Sequence, residues 1–151
     1  MRTSSLTICY DKNYIYGISV NLQHDVAKDP MYHVLDNNKH FMGALIGHDN
    51  GTCDKIVIPS GVKMTAMTVA YDSTIRSIEI EKSDDTKVQV GAKDLTDMSV
   101  KRIDLTKVGN EIVGFSGIFN NEITGKPDAF GVKRDNRHFL TLGLIVNKCE
   151  D

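Results

Sequence analysis

Apolar and polar residues alternate along this chain in short bursts, and no stretch repeats at the three-to-four spacing of an amphipathic helix. Leu6-Thr7-Ile8, Lys55-Ile56-Val57-Ile58 and Lys101-Arg102-Ile103-Asp104-Leu105 each read as a short strand followed by a polar or Gly-containing turn. Ile75-Arg76-Ser77-Ile78-Glu79-Ile80 alternates with period two, which predicts a strand with Ser77 pointing outward from Ile78. Glu79, Glu81, Asp84 and Asp85 cluster around the next turn and read as a solvated strand face and hairpin tip. The pattern predicts an all-β chain.

An internal repeat organises these strands. Ile15-Tyr16-Gly17-Ile18-Ser19-Val20, Met64-Thr65-Ala66-Met67-Thr68-Val69 and Ile112-Val113-Gly114-Phe115-Ser116-Gly117 align as large apolar, variable, tiny, large apolar, hydroxyl, then Val or Gly. Downstream, Tyr32 to Phe41 matches Phe130 to Phe139 without a gap, so that His40 and His138 correspond. Three repeats, about 1–50, 51–98 and 99–151, then form one domain. The tiny third position (Gly17, Ala66, Gly114) is expected where three strands converge on a pseudo-threefold axis, because a larger side chain would collide with its counterparts. Three four-stranded sheets around an axis make a β-prism, and hairpin pairs with a cap make the alternative, a β-trefoil.

The segments Lys63 to Val69 and Thr74 to Ile80, with Glu111 to Gly117 and Asp128 to Val132, resemble the strands of the jacalin-related lectins. The vitelline membrane outer layer protein is a looser relative of the same kind. The resemblance runs from Ile56 to Val132, and Leu6 to Gly51 joins it through the repeat. It implies β-prism I, with three Greek-key sheets in pseudo-threefold symmetry.

It also implies a monosaccharide site between a Gly-rich loop and a loop whose Asp accepts hydroxyl hydrogen bonds. Gly125-Lys126-Pro127-Asp128 resembles the Asp loop, one residue short between Gly and Asp. Gly47-His48-Asp49-Asn50-Gly51 stands where the Gly-rich loop belongs, and the family geometry places it beside the loop from Gln23 to Asp29. The ligand-binding candidates are thus Gly125, Asp128, Gly47, Asp49, Asn50, Gly51 and Asp29. Arg76 and Pro30 stand at positions aligned with that Asp, and Arg cannot accept a hydrogen bond.

Other chemistry finds little footing. No Gly-x-Ser-x-Gly motif, phosphate-cradling Gly loop or metal-ligand spacing among the five histidines occurs, so neither catalysis nor a cofactor is expected. A formal net charge of -2 argues against a nucleic-acid partner, and no apolar run reaches the ~18 residues of a membrane span. Aromatic residues are 7% of the chain with no Trp, which limits any stacking platform for sugar rings. Cys9, Cys53 and Cys149 are widely spaced and odd in number. They read as free thiols in a reducing compartment in preference to one disulfide plus a spare, and with Met1 to Leu6 showing no apolar leader, a cytoplasmic setting is favoured over secretion. Asn50-Gly51-Thr52 is a glycosylation triplet that matters only on the secretory route.

The expected function is a non-catalytic, lectin-like module whose partner is a glycan or glycoprotein, with a homo-oligomer left open. The alternative is a β-prism that has lost sugar binding and serves protein interaction, structural assembly or membrane targeting.

Overall fold

The computed structural model describes residues 2–23, 40–42, 45–108, 111–120 and 137–147. The described chain forms eleven strands and one short helix. The strands are β1 (Arg2–Tyr10), β2 (Ile15–Gln23), β3 (His40–Met42), β4 (Ile46–Gly47), β5 (Thr52–Val57), β6 (Met64–Tyr71), β7 (Ile75–Lys82), β8 (Lys87–Gly91), β9 (Ser99–Asp104), β10 (Glu111–Phe119) and β11 (Phe139–Asn147). The single turn of helix, α1, is Leu105–Val108.

Three antiparallel sheets result. The first runs β3-β2-β1-β5, with β4 also on β2; the second runs β8-β7-β6-β9; the third pairs β10 with β11 among the described residues. In the first two, a hairpin (β1–β2, β6–β7) is flanked by a later strand that returns to the hairpin's first strand (β5 on β1, β9 on β6). The inner faces share one core: Leu6, Ile8 and Ile18 of the first sheet meet Met67, Ile78 and Ile80 of the second and Phe115 and Phe139 of the third. Each such side chain contributes about 1.5–3 kcal/mol by leaving water.

The three hairpins are copies down to their irregularities. Each carries an extra residue early in its first strand (Ser4, Thr65, Val113) and another early in its second (Tyr16, Arg76, Leu140). Such bulges twist a strand and re-aim its side chains. Their register makes Ser5-Leu6-Thr7-Ile8-Cys9-Tyr10, Ala66-Met67-Thr68-Val69-Ala70-Tyr71 and Gly114-Phe115-Ser116-Gly117-Ile118-Phe119 equivalent.

This corrects the predicted alignment of the first copy. Ile15 to Val20 lies on β2, the second strand of its hairpin, whereas Met64 to Val69 and Ile112 to Gly117 lie on first strands. The tiny–large–hydroxyl–apolar pattern occurs twice in the first unit, at Ser5 to Ile8 and again at Gly17 to Val20. The matched pair Phe41 and Phe139 also occupy different places: Phe41 pairs with Leu22 on β2, Phe139 with Phe119 on β10.

The expected meeting of Gly17, Ala66 and Gly114 at an axis is corrected as well. A Cβ on Gly17 would lie 2.4 Å from the His48 carbonyl oxygen, whereas one on Gly114 would meet only the Ile145 side chain, at 3.5 Å. Gly17 is small because β4 runs close beside it. Ser77, its counterpart on β7, is 2% exposed and accepts a hydrogen bond from Gln89 Nε2 at 3.2 Å, so it does not face solvent. The bulge at Arg76 breaks the simple alternation on which the outward orientation rested.

The acidic stretch behaves as expected of a strand face and tip. Glu81 accepts from Arg102 at 3.0 Å and lies 3.5 Å from Lys87, and Asp84 caps its turn by accepting from the Thr86 amide.

Cys9 and Cys53, directly opposed in the β1–β5 register, form a disulfide. This overturns the free-thiol reading. Spacing along the chain was uninformative because antiparallel pairing, not sequence distance, brought the two Cβ atoms together. A structural disulfide is characteristic of an oxidising compartment, so the cysteines no longer support a cytoplasmic setting.

Candidate functional site

The β1–β2, β6–β7 and β10–β11 pairs come together at one end, and the two strands of each pair are joined there by the same clamp. An aromatic residue ends the first strand and an Asx residue follows it: Tyr10-Asp11, Tyr71-Asp72 and Phe119-Asn120. The Asx amide donates to the carbonyl of the residue just before the second strand: Asp11 to Tyr14 at 3.1 Å, Asp72 to Thr74 at 3.1 Å, Asn120 to His138 at 3.2 Å. The Asx side chain accepts from that residue's amide in return, at 2.9, 3.0 and 2.7 Å. Short carboxylate or amide side chains suit this role because they can bond the backbone a few residues on.

The clamped ends touch one another. The Tyr14 ring stacks on His138 with centroids 3.8 Å apart, and the Arg76 guanidinium lies 5.0 Å from the Tyr14 centroid. Arg76 also donates to Asp72 at 2.9 Å and to the Asn13 carbonyl at 3.1 Å. One residue from each unit therefore builds a hub of stacking and cation–π contact.

The hub carboxylates are occupied. Asp11 accepts from the Asn13 amide at 2.7 Å and from the Tyr16 hydroxyl, besides Tyr14. Burial, then that bond to Asp11, pushes the Tyr16 phenol well above its ordinary range. The hydrogen bond from Arg76 holds the Asp72 carboxyl below its ordinary value. Asp11 and Asp72 thus brace turns.

The Gly47–Gly51 loop lies against this end. The His48 amide donates to the Tyr16 carbonyl at 2.9 Å, as the Ala92 amide does to Arg76 in the second unit. Gly47 has φ +97° and a Cβ there would lie 2.3 Å from the Tyr16 carbonyl and 2.9 Å from the Phe119 ring. Its counterpart Gly91 has φ +98° and the same crowding against Arg76. Both glycines therefore answer a backbone requirement that recurs in two units. A Cβ on Gly51, at φ +75°, would likewise strike the Tyr10 carbonyl at 2.3 Å. Asp49 is exposed and Asn50 half-buried on the same loop, and the His48 ring meets Phe119 edge-on at 5.9 Å.

Of the predicted neighbour of this loop, only Gln23 is described, and residues 24–29 lie outside the described residues. Gly47 pairs with Gly17 near the start of β2, whereas Gln23 ends that strand about 20 Å away at strand rise. Among the described residues, the loop sits between the β1–β2 turn and Phe119. Asp29, Gly125 and Asp128 lie outside the described residues. Residues 121–136, which include Gly125 and Asp128, connect the two sides of the third clamp, where the other units have turns of three or four residues (72–74 and 11–14). Arg76 does not mark a missing Asp: its register counterparts are Tyr16 and Leu140, and its fork holds two hairpins together. No group of three metal-ligating side chains occurs among the described residues. None of the described helices is long and apolar enough to cross a membrane.

The sequence matches no family profile and no curated protein. Solved structures do match. A prostate-specific WGA16 glycoprotein lectin superposes with a TM-score of 0.62 at 9% identity, over 99% of this chain and 85% of that one. Frutalin from Artocarpus incisa, in complex with galactose, gives 0.59 at 13% identity, over 97% and 92%. The fold is that of the jacalin-related lectins. Jacalin with T-antigen gives 0.55 at 15% identity, over 78% of this chain and 83% of that one. This β-prism I likeness settles the architecture against a β-trefoil.

The aromatic–Asx pairs and the hub residues Tyr14, Arg76 and His138 were missed as a set in the sequence. A repeated signal was there: Tyr-Asp, Tyr-Asp and Phe-Asn each follow the tiny–large–hydroxyl run at a fixed distance.

Proposed function

We propose that this chain is a non-catalytic carbohydrate-binding module of the jacalin-related type, and that its sugar site lies where the Gly47–Gly51 loop meets the connection from Asn120 to His138. One observation carries the reading: Gly47 and His48 pack on Phe119, the residue from which that connection, with Gly125 and Asp128, departs. A Gly-bearing loop is thereby held beside the root of the segment that resembles the family's Asp loop. The lectins of the same fold, among them frutalin with galactose and jacalin with T-antigen, give the ligand class. In this reading Asp128 accepts sugar hydroxyls, and exposed Asp49 and half-buried Asn50 form the facing rim. Gly47 and Gly51 shape the loop. A hydroxyl-rich ligand needs fixed acceptors and donors that replace its water. Asp29, the remaining candidate, lies outside the described residues and is given no role in this reading.

Calorimetry and a glycan array with mannose, galactose and their oligomers test the proposal. Binding that Asp128→Ala abolishes and Asp49→Ala weakens is the expected result. An absence of binding to every sugar, or full binding by Asp128→Ala, overturns it.

A further inference from the structure

Two observations meet in the segment from Asn50 to Cys53. The first is Asn50-Gly51-Thr52, the one Asn-x-Ser/Thr triplet in the chain. It stands on a surface loop: Asp49, Gly51, Thr52 and Cys53 are exposed and Asn50 is half-buried. Gly51, at φ +75°, turns the chain immediately before β5 begins. The second is the Cys9–Cys53 disulfide, one residue beyond the triplet. Disulfides of this structural kind form on the same oxidising route on which Asn-linked glycans are attached.

We infer that Asn50 is an N-glycosylation site. The transfer needs a lipid-linked diphosphate oligosaccharide and the membrane glycosyltransferase that uses it. The Asn50 side-chain nitrogen attacks the anomeric carbon of the first N-acetylglucosamine. A C–N bond forms, the C–O bond to the diphosphate breaks, the lipid diphosphate leaves with that electron pair, and the amide nitrogen gives up one proton to a base. No redox change is involved. The strands tolerate the product because the loop's neighbours face water, and a bulky, solubilising glycan belongs at such a place.

The glycan stands on the loop assigned above to the rim of the sugar site, so its presence would also screen that rim. Occupancy is nevertheless read by mass and is independent of sugar binding, so either reading can fail without the other. The test is peptide mass spectrometry of the full chain purified from its source cells, before and after peptide-N-glycosidase, which converts a glycosylated Asn to Asp. The expected result is a glycan on the Asn50 peptide and Asp at position 50 after digestion. In secretory expression, Asn50→Gln and Thr52→Ala lose the glycan while Thr52→Ser keeps it. Unmodified Asn50 in the source protein overturns the inference, as does a glycan that persists in Thr52→Ala.

Discussion

The first and second hairpins share a backbone plan and differ in what fills it. Both have bulges at the same two places, an Asp clamp at the turn, and a following glycine at φ near +97° pressed against the bulged residue's carbonyl. Yet Cys9 is matched by Ala70, Gly17 by Ser77, and the Tyr16–Asp11 pair by Arg76–Asp72. The shared features are those that backbone geometry demands. The differing ones are alternative ways of holding the same strands: a covalent bond in one unit, side-chain packing and an ion pair in the other.

The largest effect is expected from erasing the covalent difference. Cys53 corresponds to Val100, which pairs with Ala70 as Cys53 pairs with Cys9. The double variant Cys9→Ala/Cys53→Val therefore rewrites the first unit as the second. The sequence separation is 44, and losing a loop closure of that length costs about 4 kcal/mol in a urea melt of the oxidised protein. The variant should also be indifferent to a dithiol reductant that weakens the wild type. A variant as stable as the oxidised wild type would mean that the β1–β5 pairing needs no crosslink.

Smaller losses come from filling space on β6 and β7. Ala66 is fully buried and Ser77 is 2% exposed, so Ala66→Leu and Ser77→Leu should both destabilise, by roughly 1–3 kcal/mol. Ser77→Leu also takes away the acceptor used by Gln89. A neutral Ser77→Leu would restore the outward orientation that simple alternation predicts.

The glycine contrast is sharper in sign than in size. Gly17→Ala sets a Cβ against the His48 carbonyl and should cost roughly 1–2 kcal/mol as β4 is displaced. Gly114→Ala meets ordinary contact and has no positive φ. It should stabilise by about 0.4–1 kcal/mol through the unfolded chain. Equal costs at the two positions, read by thermal melts, would revive a common axis for both glycines.

These positions also show what the sequence could carry. The strands were legible because hydrophobic alternation is a local signal, whereas the choice of a β-prism over a β-trefoil came from the resemblance to the jacalin-related lectins. The phase of the first repeat was not legible, since Ser5 to Ile8 and Gly17 to Val20 both fit the tiny–large–hydroxyl pattern; the aromatic–Asx pair distinguishes them, as Tyr10-Asp11 follows only the first. The Cys9–Cys53 bond and the burial of Ser77 depend on register and bulges, which arise from pairing between distant segments. Of the candidate site, Gly47 and Gly51 were read as ligand-binding through the resemblance, and their crowding by Tyr16 and Tyr10 carbonyls was visible only once the loop was placed.

The smallest effect separates the two turn clamps by charge. Asp11 is met by a neutral phenol, Asp72 by the Arg76 guanidinium, whose hydrogen bond lowers the Asp72 pKa in the folded chain. A carboxyl depressed on folding adds stability above its unfolded value, near 3.9, and that contribution drains as pH falls through the lower folded value. The pair is partly exposed, so solvent screening keeps it below about 1 kcal/mol. Asp72→Asn keeps an acceptor for the Thr74 amide and loses only the charge. Urea melts should therefore show a small deficit at neutral pH that shrinks on acidification and closes once the wild-type carboxyl is protonated. Added salt should shrink the same deficit at neutral pH. A deficit that grows toward acid would place the stabilising role of Asp72 in its protonated form, and the second clamp would then differ from the first by more than its charged partner.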